Sequence, residues 1–164
     1  MSVSFAEERF SDIADEIRQL LARHWREIAR HQDSIALDPD WPLYAALAAS
    51  GTLAVMVARD AGRMVGYAVY FVRPHLHYRG VTWATSDIFW LAPEARAGMT
   101  GLRLFRFAEA ALRRRGAVVM HTTHKLAHPA AGRLLAHLGH TPIERGYSKL
   151  LAPRSTSGGM ADGH

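Results

Sequence analysis

The stretch Ser86–Arg106, SDIFWLAPEARAGMTGLRLFR, limits what this chain can fold into more than any other part of it. Ile88 to Leu91 is a short apolar run closed by a turn signal at Pro93, which predicts a buried strand. Gly98 and Gly101 then mark a loop. After Gly101 the apolar residues Leu104, Phe105, Ala108, Ala111 and Leu112 recur at helical spacing. A strand that feeds a glycine loop and a helix start leaves several backbone N–H groups unpaired and aimed one way. The first helical turn carries no acid, so the helix dipole adds to them and makes an anion site. Arg96, just ahead of the loop, brings a fork-shaped cation suited to phosphate oxygens. The stretch therefore reads as a pyrophosphate cradle.

Composition removes several alternatives. The chain has 164 residues, enough for one domain with a full core. It contains no Cys, which excludes disulfides, thiolate metal sites and a Cys nucleophile. No apolar run reaches the roughly 18 residues of a membrane span, and the opening MSVSFAEERF is too acidic for a signal peptide. A cytoplasmic protein without membrane contact is the expectation. The net charge of +5 favours an anionic partner, either nucleic acid or a phosphorylated cofactor.

Along the chain, Ser4 and Glu7 read as a capping box opening a helix from Phe5 to Ala29. Pro42 sits in the first turn of a second helix, Leu43 to Ala49, which Gly51 ends. Thr52–Ala58 and Met64–Val72 read as strands joined by a hairpin at Asp60–Arg63. A loop, Arg73–Gly80, leads to the strand Val81–Leu91. After the basic helix, Gly116 precedes a short strand, Ala117–Met120. Its crossover makes it parallel to the Ile88 strand if both share a sheet. A last helix, Ala130 to Leu138, follows Pro129, and Thr141–Leu151 is expected to return as a final strand. The fold class is α/β (α+β): an antiparallel meander followed by β-α-β-α-β, in one domain over residues 1–151. Residues 152–164 are small and polar and read as a disordered tail.

The order of elements, with Leu91-Ala-Pro-Glu-Ala-Arg96-Ala-Gly-Met-Thr-Gly101, resembles the GNAT N-acetyltransferase family, in particular its phage and prophage members. There a strand ending V-x-P-x-x-R leads into the loop R/Q-x-x-G-x-G/A and a helix. His128-Pro-Ala-Ala131-Gly-Arg-Leu-Leu135-Ala-His-Leu138-Gly139-His140 is similar to the family's second motif, N-x-x-A-x-x-L-Y-E-K-L-G-F. The resemblance implies a GNAT-like acyl-CoA N-acyltransferase fold and acetyl-coenzyme A as co-substrate. The backbone of Phe89, Trp90 and Leu91 would pair with the pantetheine arm. Arg96, Ala97, Gly98, Met99, Thr100, Gly101 and Leu102 would hold the pyrophosphate, with His128 at the motif's Asn position. Two departures stand out: Met99 replaces the first loop glycine, and Leu135 replaces the Tyr that usually protonates the leaving thiolate.

For the chemistry, the resemblance places a carboxylate in mid-strand, where this chain has Asp87, as base or water-positioner. Tyr147 is the candidate to replace the missing acid. His75, His77 and Tyr78 lie before the Val81 strand, at the end where an acceptor should enter, and Trp41 is a candidate pocket wall. The trio His121, His124 and His128 lacks a metal-binding pattern, so no metal is expected. His24 reads as a helix-surface or core residue. The implied activity is acetyl transfer to a primary amine of a small molecule or protein, and a homodimer is compatible with it. Two alternatives are a degenerate GNAT fold that binds coenzyme A without turnover, and a basic nucleic-acid-binding module. The arginines of the basic helix lack a recognition pattern for the latter.

Overall fold

The computed structural model describes residues 2–151. The expected tail, 152–164, lies outside them. The elements in order are strand β1 (Val3–Glu7), helices α1 (Phe10–Ile28) and α2 (Trp41–Ala49), and strands β2 (Leu53–Asp60), β3 (Arg63–His75) and β4 (Tyr78–Leu91). Helix α3 (Thr100–Arg114), strand β5 (Ala117–His121) and helix α4 (Pro129–His137) complete the chain. The five strands form one sheet in sequence order. All pairs are antiparallel except β4–β5, which is parallel. Among the described residues no helix is long and apolar enough to cross a membrane.

The sheet is covered on both faces, and β4 shows how. Phe89 stacks on Phe105 of α3 at 3.8 Å, while its neighbour Trp90 meets His24 of α1 at 5.8 Å. Adjacent strand residues point to opposite faces, so α3 covers one side and α1 the other. The core lies between, with Ile13, Met56, Val57, Leu104 and Leu112 almost fully enclosed.

Two expectations at the chain ends are corrected. Ser4 and Glu7 are not a capping box, because Val3–Glu7 is a strand with Phe5 opposite Ala58 of β2. Glu7 instead pairs with Arg115 beyond α3. A capping box is a local signal, and here the edge of β2 offers the same residues a full ladder of backbone partners. The helical period holds only from Phe10, with Phe10, Ile13, Ile17, Leu21 and His24 buried. At the other end, Thr141–Leu151 forms no strand. Pro142 cannot donate to a ladder. Arg145 and Lys149 alternate with Ile143, Tyr147 and Leu151 on what would be one face, so that face has no continuous apolar surface to bury.

The hairpins close more tightly than the sequence suggests. Ala61 and Gly62 both take positive φ (48° and 81°), the geometry of a two-residue hairpin turn. The expected loop Arg73–Gly80 is mostly strand: β3 runs on to His75 and β4 starts at Tyr78.

Gly66 fixes how closely β3 approaches the end of β4. It pairs with Leu91, and a Cβ there would stand 2.3 Å from the Leu91 side chain and 2.8 Å from the Trp90 carbonyl oxygen. The second atom is backbone and cannot step aside. Gly66→Ala is therefore expected to lower unfolding free energy by about 2 kcal/mol, within the usual range for overpacking. A urea melt checks this, and an unchanged midpoint would show that the strands separate freely here.

Candidate active site

The site begins where β4 loses a neighbour. The parallel ladder with β5 runs from Thr82–Ala117 to Thr85–His121 and stops. Beyond it, Ser86 Oγ accepts a hydrogen bond from the Thr123 N–H at 2.9 Å, and the chain then turns away. From Asp87 to Leu91, β4 has β3 on one side and, among the described residues, no strand partner on the other. A register shift against β3 falls at the same point: Tyr70 pairs with Ser86 and Val69 with Ile88, leaving Asp87 unmatched. A bulge of this kind re-aims side chains and marks the end of regular pairing.

The loop after β4 opens onto the start of α3. Pro93–Ala95 makes a single 3-10 turn, and Gly98 takes φ +75°. The first α3 backbone bond runs from the Arg103 N–H to the Met99 carbonyl. The N–H groups of Gly101 and Leu102 therefore precede the helical ladder, and no acid occupies the first turn. A Cβ on Gly101 would meet only Leu134 and Leu91 side chains, both at 3.5 Å, so helix α4 stands close by without filling the loop. Beside the loop lies a recess of about 260 Å³ bordered by Ala97, Gly98, Met99, Thr100, Arg63 and Arg103.

Arg96 does not face this loop freely. Its Nη2 donates to Glu27 of α1 at 2.7 Å, and its Nε donates to the Leu91 carbonyl at 2.9 Å. The guanidinium is spent on tying the end of β4 to α1. Arg103 and Arg63 border the recess, together with the carboxylates of Asp60 and Glu94. His128 stands at the N-terminus of α4 without a side-chain capping bond.

Asp87 is exposed, yet the protein around it withdraws enough water to raise its carboxyl above the ordinary range. Its charge in turn helps raise the Tyr44 and Tyr67 hydroxyls, after burial as the larger cause. Tyr44 belongs to an aromatic group on α1 and α2: it stacks on Phe10 at 5.5 Å and lies 5.8 Å from Trp41. The structure thus brings Trp41 and Asp87 toward one region and adds Tyr44, a residue that no sequence pattern singles out. Tyr147 is 92% exposed on the irregular segment after α4. Leu135 is buried and packs into the core. His75, His77 and Tyr78 gather around Trp83, not around Asp87. Tyr78 and Asp87 are nine positions apart on β4, about 30 Å of extended chain.

Behind the open edge of β4 lies a buried polar group. His24, only 3% exposed, shares a 3.1 Å hydrogen bond between Nδ1 and the Tyr67 hydroxyl, and its Nε2 has no partner. The Trp90 indole N–H donates to Glu27 at 3.1 Å. Burial pushes the His24 imidazole down to about 4, against a smaller pull upward from Glu27. The unfolded chain therefore binds a proton at His24 in a window where the folded chain does not. Stability is lost as pH falls from about 6.5 toward 4. His24→Gln is expected to flatten that part of the profile, seen as a smaller difference between urea midpoints at neutral and mildly acidic pH. An unchanged slope would show that other groups govern it.

No family model matches the chain, and no curated protein matches it. Solved structures do. The chain is similar to an aminoglycoside acetyltransferase, HMB0005, from an uncultured soil metagenomic sample, with a TM-score of 0.75 and 16% identity over 93% of this chain and 100% of that one. It is similar to the ribosomal-protein-alanine N-acetyltransferase of Brucella melitensis biovar Abortus 2308, with a TM-score of 0.69 and 16% identity over 92% and 100%. A third is the glucosamine-6-phosphate N-acetyltransferase of Arabidopsis thaliana, with a TM-score of 0.68 and 10% identity over 93% and 100%. The chain has the GNAT acyl-CoA transferase fold.

Proposed function

We propose that the protein transfers an acetyl group from acetyl-coenzyme A to a primary amine of a small molecule or protein in the cytoplasm. The observation that carries this is the one-sided end of β4, Asp87–Leu91, lying next to the unpaired N–H groups at the start of α3. The Ala92 N–H donates to the Val65 carbonyl, so by strand alternation Trp90 bonds toward β3. The backbones of Phe89 and Leu91 face the open side and offer hydrogen bonds to an extended amide-bearing arm; Gly98 to Leu102 offer N–H groups to a pyrophosphate. The Leu91 carbonyl is taken by Arg96 Nε, and the remaining backbone groups facing the open side of β4, with the N–H groups ahead of the α3 ladder, suit the cofactor. That the structural neighbours are named as acetyltransferases of amino sugars and of a protein alanine supports the amine acceptor. The phage and prophage type belongs to this reading through the sequence motifs alone.

When bound, acetyl-coenzyme A supplies an acyl group already activated as a thioester. The protein orients it and manages protons. Asp87 takes the proton that an ammonium acceptor must lose before its nitrogen can attack, and a raised carboxyl pKa makes it a better base than an exposed Asp. Tyr44 and Trp41 wall the approach from α2. Leu135 cannot return a proton to the departing thiolate, so that proton comes from water or from the acceptor's own nitrogen.

Three measurements follow. Acetyl-coenzyme A is expected to raise the melting temperature. Gly101→Asp should keep the fold, because its Cβ has ordinary room, yet lose that shift by placing a carboxylate in the anion cradle. No shift in the parent would refute cofactor binding. Asp87→Asn should lower kcat by about 100-fold, the low end for loss of a general base, with little change in acetyl-coenzyme A affinity. Turnover should fall on acidification at a higher pH than an ordinary carboxylate would give, because the shift at Asp87 is upward. Parental turnover in Asp87→Asn would remove it from the reaction.

A further inference from the structure

The β3–β4 hairpin projects beyond the rest of the sheet. β2 begins opposite Phe71 and β5 begins opposite Thr82, so Arg73–His75 and Tyr78–Val81 run past both neighbours. The ladder pairs Arg73 with Trp83 and His75 with Tyr78. The register shifts between Pro74 and His75, and it is the ring contacts that place His75, Tyr78 and Trp83 on one side of the arm, with Arg73 paired to Trp83. Their rings form a platform. His75 stacks on Tyr78 at 4.8 Å and lies 4.2 Å from Trp83, with His77 5.6 Å away.

The charge on this arm has one sign. No Asp or Glu occurs between Asp60 and Asp87. Arg73 and Arg79 are exposed and make no ion pair among the described residues. Tyr78 is 55% exposed and Leu76, at the tip, 97%. The Trp83 indole N–H is buried and has no acceptor among the described residues. None of these residues contributes to the core or touches the end of β4 where acetyl transfer is placed. A cluster of packed rings with Tyr78 and His77 exposed and His75 and Trp83 half-buried, flanked by unpaired guanidinium groups, matches one ligand chemistry: planar rings joined by anionic links.

We propose that the β3–β4 arm binds single-stranded nucleic acid, with bases stacked on His75, Tyr78 and Trp83 and phosphates on Arg73 and Arg79. A duplex keeps its base faces stacked inside and presents only phosphates, so the platform selects against it. This goes beyond the acetyl-transfer reading and does not depend on it.

The test is fluorescence anisotropy with a labelled oligothymidylate of about ten nucleotides, within the length range such surfaces cover. The intact protein is expected to bind it saturably, more weakly as salt rises, and a duplex of equal length at least several-fold more weakly. Tyr78→Ala should weaken single-strand binding by about tenfold, the scale of one lost base stack. Tyr78→Phe, which keeps the ring, should bind as the parent does. Arg73→Gln should weaken binding and reduce its salt dependence. Absence of binding at low salt would overturn the proposal. So would equal affinity for the duplex, or a Tyr78→Ala variant that binds like the parent, since either means a general attraction of charge.

Discussion

The structure depends on one interrupted ladder. β4 is a central strand as far as Thr85 and an edge strand from Asp87 onward. An edge exposes a row of backbone donors and acceptors, which proteins ordinarily cover or blunt. Here the edge is kept open beside the start of a helix whose own first N–H groups are unpaired. Two sets of unsatisfied backbone groups side by side define a slot for a ligand that has amides at one end and phosphates at the other.

An open edge has to be held in place from behind. Trp90 and Arg96 both donate to Glu27, and Arg96 lowers the Glu27 carboxyl pKa as its largest cause. The Arg96–Glu27 pair is partly exposed, so it is worth at most about 1 kcal/mol. Its role is positional: it joins the end of β4 to α1 across the covered face of the sheet, next to the buried His24–Tyr67 pair. Gly66 acts from the other side, letting β3 lie closer to Leu91 than any side chain would permit.

Much of this was legible in the residues. The Ile88–Leu91 run, Gly98, Gly101 and the period of Leu104, Phe105 and Ala108 placed strand, loop and helix correctly, because each signal is local and agrees with its tertiary setting. The parallel direction of β5 followed from its crossover. The first strand did not show, because Ser4 and Glu7 carry a genuine local helix signal that pairing with β2 overrides. The strand expected at Thr141–Leu151 failed for the opposite reason: its residues have some β character but no apolar face to anchor it. The Arg96–Glu27 pair has no local signal, because the two residues lie 69 positions apart. Tyr44 was invisible for the same cause, since only the folded chain brings its hydroxyl within reach of the Asp87 charge.

Backbone groups at the end of β4 and the start of α3 are proposed to hold the co-substrate. Amide hydrogen exchange measured with and without acetyl-coenzyme A tests this most directly. Slowed exchange is expected at Phe89 and Leu91 and at Gly101 and Leu102, with the ladder between β2 and β3 unaffected. Protection absent from both segments, or confined to another part of the molecule, would contradict it.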